Sequence, residues 1–473
     1  MSLPEKAIKF KEIEKEIHQK CYELGRKALR EVLSELDAQL MNRRDKCSYR
    51  HVGRKSTTLK TILGEVSYER AQYENIDSFG RKSYVFLLDK AIGLEGTGQY
   101  SDLLTELVVE ACCTNSYREA ARLVSKMTGQ SLSHTAAWSL TQLVGKHVDA
   151  QEQRLAEMAS NPEVGGIGGI ETKVLFEEQD GIHLSMQGKS RKAHGKRKEL
   201  KVAIAYDGVE KKGSKRYELT NKVACASFES VSKFFRRKEG IVSGTYNVDE
   251  IIMRFLNGDG APWIRYSQTD ETVHFQLDPY HRNNAITRYV SNPDVADTIR
   301  KLLYSEDLEL LLHVIEVELN STEDKTQREN YQGLLAYFTN NQDGLLPYYR
   351  RGLDIPVPPD GKEYRRMGCM ESNIFTIIGN RMKGRRACWS VTGGENLARL
   401  LCLKHTGRLR DALARLSATV LAEHYSEEII SGMSSAKSPE REGKGYNGFH
   451  QSLIPSSLKW LKNLAAVRPV YNF

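Results

Sequence analysis

The strongest constraint on the fold is a change in the spacing of apolar residues along the chain. In residues 5–40, isoleucine, leucine and valine recur every three or four positions, which predicts one long amphipathic helix. Residues 172–277 instead carry short β-branched and aromatic runs separated by glycine and polar residues, which is typical of strands. Helical spacing returns from residue 281. Because helical stretches flank a strand-rich centre, we predict an α/β fold.

The strand-rich centre has a defined order of elements. We predict a turn at Asp180-Gly181, a helix at about 230–240, and a further helix near Pro279 that Asp278 caps. The predicted strands are 172–176, 182–187, 201–206, part of 217–228, 251–256 and 272–277. A meander of three strands followed by alternating helix and strand is the order of an RNase H-like mixed sheet, which is the fold that we predict for this region.

Two aspartates in this region are candidate metal ligands. Asp180 follows the first strand, Asp259 follows the strand at 251–256, and each stands next to glycine. In an RNase H-like fold, carboxylates at strand ends converge on a divalent-metal site, and oxygen ligands suit Mg²⁺. Two ions about 3.5–4 Å apart would activate the attacking oxygen and stabilise the leaving one. The alternative is two ordinary turns, because Asp-Gly is a common turn sequence.

A third carboxylate is expected from a helix packed on the sheet. Residues 281–350 instead indicate consecutive helices, at 293–303, 306–319 and 321–338, which we interpret as an all-helical insertion. The next suitable helix begins at Met370 and runs to about Lys383, and it places Glu371 in its first turn. Glu371 is therefore the best candidate for the last ligand, although a capping or surface role is equally compatible with the sequence.

The amino-terminal part predicts DNA-binding elements. Residues 57–63 and 66–73 flank Gly64-Glu65 and indicate a β-hairpin. A helix at 116–125, a glycine-containing turn and a second helix to about Lys146 form a helix-turn-helix pattern. Ser133 and His134 would begin the recognition helix. A plain helical hairpin has the same pattern and stays open as an alternative.

Clusters of basic residues indicate the type of substrate. Lysine and arginine outnumber aspartate and glutamate by 69 to 61, a net charge of +8 that is too small to prove nucleic-acid binding by itself. The cationic residues are clustered in the catalytic half, which favours phosphate binding over solvated loops. The predicted DNA contacts there are Lys192, Lys196, Arg197, Lys198, Arg381, Lys383, Arg385 and Arg386.

Other classes of protein are disfavoured. The eight cysteines form no CxxC pair and no zinc spacing with histidine, so we expect reduced thiols. No apolar run approaches the ~18 residues of a membrane helix, and the charged start has no signal-peptide core. The glycine-rich residues 161–170 lack a complete dinucleotide-binding pattern, and residues 208–214 lack the P-loop lysine. We therefore expect a cytoplasmic protein without a membrane partner, associated with the nucleoid when it is bound to DNA.

Four segments in the catalytic half, taken together, resemble bacterial insertion-sequence transposases of the ISLre group, which are related to the Mutator-like DDE transposases. The segments are LFEEQDGIHLSMQ, NGDGAPWI, FQLDPYHRNNAI and MESNIFTIIGNRMKGRRACWS. TLKTILGEVSYERAQY and LLDKAIGLE resemble the amino-terminal region of that group. The resemblance covers about residues 20–423, and its four catalytic motifs occur in the family's order.

The resemblance implies both residues and activity. The family's catalytic acids fall on Asp180, Asp259 and Glu371, and its acid-x-x-His motif falls on Asp278 and His281. Whether His281 supports the site, contacts DNA or is a helix-start residue stays open. The implied reaction is cleavage at terminal inverted repeats and joining of a 3′-hydroxyl to target DNA. It would use two Mg²⁺ ions, for which Mn²⁺ would substitute, and a homodimer or larger assembly on DNA.

Two further functions stay open. One is an RNase H-like nuclease that cuts without joining, and the other is a catalytically inactive DNA-binding regulator. The predicted regions are an amino-terminal helix (1–45), a β-hairpin region (46–98), a helix-turn-helix region (99–160), the first part of the catalytic domain (171–280), the helical insertion (281–360), the closing helices (361–423) and a polar tail (424–473).

Overall fold

The computed structural model describes residues 10–76, 80–94, 100–161, 167–305, 307–384 and 386–414, which belong to one compact unit. Arg385, the predicted tail at 424–473 and the part of the closing region after residue 414 lie outside the described residues. Residues 5–9 of the predicted first helix lie outside them as well. No helix in the described part combines the length and apolar character needed to cross a bilayer.

An amino-terminal helix packs on an antiparallel sheet of three strands. Helix α1 (Phe10–Arg43) is followed by β1 (Tyr49–Thr61), β2 (Gly64–Ile76) and β3 (Lys82–Val85), with β2 in the middle of the sheet. Leu33 of α1 shares a buried apolar cluster with Val66 and Tyr68 of β2. The predicted long helix and hairpin are confirmed. Strand β3 was not predicted, because its four residues are exposed or half-exposed and show no strand pattern.

The hairpin turn lies two residues earlier than predicted. Gly64-Glu65 does not form it, because Gly64 pairs with Thr61 in the ladder and the loop is Ile62 and Leu63. The Thr61 hydroxyl accepts a hydrogen bond from the Leu63 amide at 3.1 Å and donates one to the Gly64 carbonyl at 2.9 Å. Gly64 contributes its positive φ of 109° immediately after the loop.

Four helices follow this sheet. They are α2 (Leu87–Ala91), α3 (Asp102–Thr114), α4 (Tyr117–Thr128) and α5 (His134–Ala159). Ser116 and Ser133 accept hydrogen bonds from backbone amides in the first turns of α4 and α5. Gly129 ends α4 with a φ of 68°. The predicted succession of helix, short turn and helix is present, but α5 continues well beyond Lys146 because its buried face continues.

A mixed five-stranded sheet lies at the centre of the molecule. The strands that follow the helices are β4 (Val174–Ser185), β5 (Arg197–Tyr206), β6 (Val209–Lys211), β7 (Tyr217–Leu219), β8 (Val223–Ser227), β9 (Met253–Gly258) and β10 (Val273–Leu277). The sheet order is β10-β9-β4-β5-β8, while β6 and β7 pair with each other. Strand β5 is antiparallel to β4 and β8, and β9 is parallel to β4 and β10. The predicted α/β class with a mixed sheet is confirmed.

Helices cover both faces of this sheet. They are α6 (Gly188–His194), α7 (Val231–Ser243), α8 (Pro262–Arg265), α9 (Pro279–Tyr289), α10 (Pro293–Ser305), α11 (Leu308–Ser321), α12 (Lys325–Asn340), α13 (Met370–Ile374), α14 (Asn380–Met382) and α15 (Val391–His405). A π-helical segment, Phe375–Gly379, joins α13 to α14. Val242 of α7 shares a buried cluster with Leu175 of β4, and Ile377 shares another with Phe176. Helices α9–α12 lie in the predicted insertion, and their apolar residues share one buried cluster with Leu256 of β9 and Phe275 of β10.

Two predicted boundaries are wrong. Asp180-Gly181 is no turn, because Asp180 pairs with Val202 and Gly181 with Lys201 inside the continuous strand β4. A Cβ on Gly181 would lie 2.1 Å from Glu199 Oε1, so the glycine leaves room for the Glu199 side chain of the neighbouring strand β5. The turn comes after Ser185 and contains α6.

The closing helix predicted at 395–423 also differs. It begins at Val391, where the Ser390 hydroxyl accepts a hydrogen bond from the Gly393 amide at 3.1 Å. It ends at His405, and Gly407 then turns the chain with a φ of 74°. The predicted single helix therefore starts later than α15 and is interrupted at residues 406–408, after which residues 409–414 are helical again. The sequence pattern alone did not register the serine cap or the glycine break.

Candidate metal centre and nucleic-acid surface

Two of the candidate aspartates are placed by neighbouring parallel strands. Asp180 lies in β4, and Asp259 follows the last residue of β9 directly. Glu178 of β4 is in register with Asn257 of β9. Each aspartate therefore stands two residues beyond the same rung of the ladder, which is why two residues 79 positions apart reach one edge of the sheet.

Two carboxylates and an imidazole form the tightest group at this edge. One oxygen of Asp180, one oxygen of Glu371 and one ring nitrogen of His281 lie within 4.8 Å of one another. His281 Nε2 is 3.5 Å from Asp180 Oδ2. Asp180 and His281 are partly buried, and Glu371 is exposed. Carboxylate oxygens with an imidazole nitrogen can bind Mg²⁺ or Mn²⁺, and the described residues contain no second group of this kind.

Asp259 stands beside this group rather than within its tightest part. Its Oδ1 accepts a hydrogen bond from the Ala261 amide at 2.8 Å, and its carbonyl accepts one from the Tyr337 hydroxyl of α12 at 2.9 Å. A Cβ on Gly260 would lie 2.3 Å from Asn341 Oδ1, so the loop and the end of α12 are in close contact. The helical insertion therefore holds the loop that carries Asp259.

The acidic residues make this edge favourable for positive charge. The hydrogen bond to Asp180 is the main cause that raises the pKa of His281. The negative charges of Asp180, Asp278 and Asp259 raise that pKa further, while burial opposes them. An edge that stabilises an imidazolium in this way also attracts a metal cation.

Asp278 acts as a buried helix cap. Its Oδ1 accepts hydrogen bonds from the amides of Tyr280 at 2.9 Å and His281 at 3.2 Å. Its Oδ2 accepts one from the Asn257 side-chain amide at 2.7 Å. These bonds fix the backbone from which the His281 side chain reaches Asp180, which is how Asp278 can support the site.

Glu178 is a structural carboxylate that the sequence did not single out. It is fully buried. Its two oxygens accept hydrogen bonds from six donors: the amides of Gly368, Cys369 and Met370, the Asn257 side-chain amide, the Tyr206 hydroxyl and the Cys369 thiol. Burial raises the pKa of Glu178, against the effect of its donors. The available signal was its position on the same face of β4 as Asp180, two residues away.

Glu178, Asn257 and Asp278 form one connected buried network. The Asn257 side-chain amide donates to Glu178 at 3.1 Å and to Asp278 at 2.7 Å. Each member stands two or three residues before a candidate ligand: Asp180, Asp259 and His281. The three amides that Glu178 binds immediately precede Glu371. The network therefore positions the backbone of all four candidate ligands.

The opposite face of β4 carries a different carboxylate arrangement. Glu177 is buried and forms ion pairs with Lys238 and Arg254. Glu239 of α7 completes this group. Because the four charges balance one another, this group has a structural role and leaves no open ligand position.

Predicted DNA contacts in the half of the chain that carries the candidate metal ligands divide into two sets. Lys192, Lys196, Arg197, Lys383 and Arg386 are exposed, and Lys198 is half-buried with its ammonium 5.8 Å from the centre of the Phe228 ring. Arg381 differs from this set: its Nε donates to the Cys112 carbonyl at 2.8 Å, and its guanidinium lies over Tyr117 and Trp389. Arg381 thus joins α14 to α3.

The exposed residues of the two basic segments lie near each other. The Gln187 amide donates to the Trp389 carbonyl, and the Trp389 amide donates to the Ser185 carbonyl, both at 2.9 Å. These bonds join the segment before α6 to the loop after α14. We call the exposed set the basic surface: Lys192, Lys196, Arg197, Lys383 and Arg386.

The first turns of α5 lie near the same surface. Ser133 and His134 are exposed, and the Ser133 hydroxyl also caps the helix. A cavity of about 380 Å³ is lined by Trp138 of α5 together with Gln187 and Trp389. The three groups of predicted DNA contacts therefore come from distant parts of the sequence to adjoining parts of the fold.

Comparison with known proteins places the chain in a sequence family. A family model described as "Uncharacterised protein family (UPF0236)" matches residues 3–415. "UPF0236 protein in vanSb 3'region" of Streptococcus gallolyticus is 26% identical over 406 residues, which cover 84% of this chain and 83% of that protein. UPF0236 protein TTE2489 of Caldanaerobacter subterraneus subsp. tengcongensis is 23% identical over 411 residues, covering 86% and 81%.

A further relative from that organism is 22% identical over 393 residues, covering 82% of this chain and 76% of that protein. Its name joins eleven designations, from TTE0033 to TTE2212.

Proposed function

The chain belongs to the protein family UPF0236, and we propose that it is a DDE transposase of the ISLre type with an RNase H-like catalytic domain. Such an enzyme binds the terminal inverted repeats of its insertion sequence, cuts the DNA there and joins the 3′-hydroxyl ends to target DNA. The observation that carries the proposal is the grouping of Asp180, Glu371 and His281 at one edge of the central sheet, with Asp259 beside them at the end of the neighbouring parallel strand.

The strand order supports the RNase H-like assignment. The first strand of the sheet, β4, lies at its centre. On one side it pairs with the antiparallel strand β5, which in turn pairs antiparallel with β8, and on the other side lie the parallel strands β9 and β10. Asp180 lies in β4, Asp259 follows its parallel neighbour β9, and Glu371 lies in the later helix α13. A central first strand, with one acid from it, one after its parallel neighbour and one from a later helix, is the arrangement expected of an RNase H-like domain.

The donor set fits the metal ions that the proposal requires. Asp180, Asp259 and Glu371 would hold two Mg²⁺ ions, with Mn²⁺ as a substitute. Within the described residues, the side-chain carboxylate of Glu371 has no hydrogen-bond or ion-pair partner, so its oxygens are available. When bound, the ions would activate the attacking oxygen and stabilise the leaving oxygen.

The protein's own residues supply binding and orientation. The basic surface would bind DNA phosphates, since exposed lysine and arginine give sequence-independent contacts. The exposed start of α5, with Ser133 and His134, would read the terminal repeats as the recognition helix of a helix-turn-helix. His281 would donate a hydrogen bond towards the reacting phosphate or the ligand Asp180, according to its protonation.

The name of one relative also supports the proposal that this chain is encoded by a mobile element. A single protein named by eleven designations in one organism is what an element that multiplies within its genome is expected to produce. This property favours a transposase over a housekeeping nuclease, which has no reason to occur in many copies.

The test is a cleavage and joining assay with the full-length protein. Labelled DNA that carries both sequences flanking the gene is incubated with Mg²⁺ or Mn²⁺, beside the Asp259→Asn protein and a metal-free reaction. The proposal expects metal-dependent nicking and joined products that the variant does not form. Nicking without joined products would indicate the nuclease, and binding without cleavage in either protein would indicate the regulator.

A further inference from the structure

Helix α1 carries an exposed apolar stripe along its outer side. We call it the outer stripe: Phe10, Ile13, Ile17, Cys21, Leu24 and Val32. The exposed fractions of Phe10, Ile17 and Leu24 are 76%, 57% and 47%. Phe10, Cys21 and Val32 follow one another at intervals of eleven residues, a spacing that keeps a stripe nearly straight along a helix.

The outer stripe is separate from the side of α1 that packs on the protein. That inner side contains Leu29, Leu33, Leu36 and Leu40, which pack on the amino-terminal sheet. Tyr22 also belongs to the inner side, where its hydroxyl donates to the Met127 carbonyl. With 3.6 residues per turn, the centre of the outer stripe lies about 120° around the helix from the centre of the inner side.

The first part of α1 extends beyond the rest of the described protein. Every residue from Phe10 to Cys21 is exposed. A helical segment of about twelve residues is marginally stable in water without tertiary contacts, and its apolar side adds a surface that water solvates poorly. Both features indicate a helical segment that is completed by a partner along the outer stripe.

We propose that this partner is α1 of a second copy of the chain, paired antiparallel about a two-fold axis near Cys21. The charges along one border of the stripe favour this arrangement. They are Glu16, Lys20, Glu23 and Lys27. In an antiparallel pair centred between residues 21 and 22, Glu16 lies opposite Lys27 of the second copy, and Lys20 lies opposite Glu23 of the second copy. All four of these pairs, two from each copy, join opposite charges.

The apolar residues match in the same arrangement. With the centre between residues 21 and 22, Ile17 of one copy lies level with residue 26 of the other, between Leu24 and Ala28. Leu24 lies level with residue 19, between Ile17 and Cys21. Because the same patch serves both copies, the interface is closed and needs no further partner. Cys21 lies close to the Cys21 of the second copy at the axis, which gives the pairing a covalent reporter.

The inference is independent of the proposed function, and its first test needs neither DNA nor metal. Light scattering after size-exclusion chromatography measures the mass of the full chain over a range of concentrations. The proposal expects twice the chain mass of 53.6 kDa for the wild type and a single chain mass for Ile17→Glu. Val357→Glu is the matched control, because Val357 is an apolar residue 87% exposed outside α1, and this variant is expected to stay dimeric.

Orientation is tested by thiol cross-linking. The exposed cysteines are first removed (Cys21→Ser, Cys47→Ser, Cys388→Ser), and Glu16→Cys and Lys27→Cys proteins are made in this background. A short bismaleimide is then added to three samples: each protein alone and a mixture of the two. An antiparallel pair gives cross-linked dimer in the mixture and little in either protein alone, whereas a parallel pair gives it in each protein alone. In the wild type, mild oxidation should give a disulfide-linked dimer that Cys21→Ser abolishes.

Three results would overturn the inference. They are a wild type that is monomeric at all concentrations, a dimer that Ile17→Glu leaves intact, and cross-links that form in each protein alone. A monomer whose outer stripe becomes accessible to labelling only after removal of residues 415–473 would assign the stripe to that segment of the same chain instead.

Discussion

Glu178 and Asp180 are two acidic residues on the same face of the same strand, and the protein treats them in opposite ways. Glu178 is buried and accepts hydrogen bonds from six donors. Asp180 is partly exposed, accepts one bond from the Gly181 amide at 2.7 Å and faces His281 at 3.5 Å. The acceptor capacity of one carboxylate is filled by the protein, and that of the other is left for a ligand.

This difference separates structure from function at residue level. A buried carboxylate is tolerated only when its oxygens are satisfied, and it then fixes the segments that satisfy them. Glu178 fixes the amides before Glu371 in this way. The ligands themselves contribute little to folding, because they repel one another until a cation is bound. Variants at the two positions should therefore fail in different assays.

The largest expected effect is the loss of cleavage on neutralising a ligand. Asp180→Asn, Asp259→Asn and Glu371→Gln should each reduce the metal-dependent cleavage rate by about 10²–10³-fold, the size seen when one preorganised electrostatic group is removed. Single-turnover cleavage of labelled DNA measures the rate. Asp297→Asn, an exposed aspartate in the insertion, is the control and should cleave like the wild type.

These ligand variants should fold normally. For Asp259→Asn and Glu371→Gln, urea unfolding without metal should give a free energy of unfolding equal to or above that of the wild type, because a like charge has been removed. Asp180→Asn also loses its contact with His281 and should lose at most about 1 kcal/mol. A ligand variant that loses about 2 kcal/mol or more, the usual cost of disrupting a buried polar contact, would place that carboxylate in the structural class with Glu178.

The second effect is on stability, at Glu178. Glu178→Ala leaves the three amides before Glu371 and the Asn257 side chain without their acceptor, and we expect a loss of about 3 kcal/mol in the free energy of unfolding. Glu178→Gln keeps the shape and one acceptor oxygen, so about 1 kcal/mol should be lost. Urea titration measures both. Equal stability of wild type and Glu178→Ala would remove the structural role of this network.

A smaller effect is expected on DNA affinity at the basic surface. Reversing two charges, Lys196→Glu with Arg197→Glu, should weaken binding of duplex DNA about 10–100-fold and reduce the salt dependence by about one unit of slope per lost phosphate contact. Fluorescence anisotropy at several salt concentrations measures both quantities. Lys325→Glu with Arg328→Glu changes the same charge on α12; an equal loss there would mean that net charge alone controls binding.

The smallest effect concerns the contact between the insertion and the Asp259 loop. Tyr337→Phe removes one hydroxyl that donates to the Asp259 carbonyl, so the free energy of unfolding should fall by about 1 kcal/mol. The concentration of Mn²⁺ needed for half-maximal cleavage should rise severalfold, because the loop is held less firmly. A loss of stability with an unchanged metal requirement would show that the insertion does not orient Asp259.

The sequence predicted the elements that local chemistry determines. The Asp278 cap, the run of insertion helices and the strand before Asp259 depend on residues close together in the chain, and all are found. The Asp180-Gly181 turn was wrong because a local turn preference lost to the ladder that joins these residues to Val202 and Lys201. The hairpin turn lies at Ile62-Leu63 rather than at Gly64-Glu65, because the Thr61 hydroxyl bonds the backbone of Leu63 and Gly64 there.

The network around Glu178 could not be predicted for a different reason. Its donors lie up to 192 residues away in the sequence, so nothing near Glu178 distinguishes it from Glu177, which faces the other side of the sheet. Arg381 is similar: a basic residue after Glu371 suggested a phosphate contact, whereas its Nε–H bonds the Cys112 carbonyl 269 residues away. Such assignments depend on tertiary contacts rather than on local pattern.

The most direct test of the metal centre is a calorimetric titration of the full-length protein with Mn²⁺ in the absence of DNA. We expect saturable binding to the wild type, a strong loss of affinity in Asp180→Asn and in Glu371→Gln, and unchanged binding in Asp297→Asn. Binding of equal strength in the wild type and in Asp180→Asn would contradict the assignment of this carboxylate edge as the metal centre.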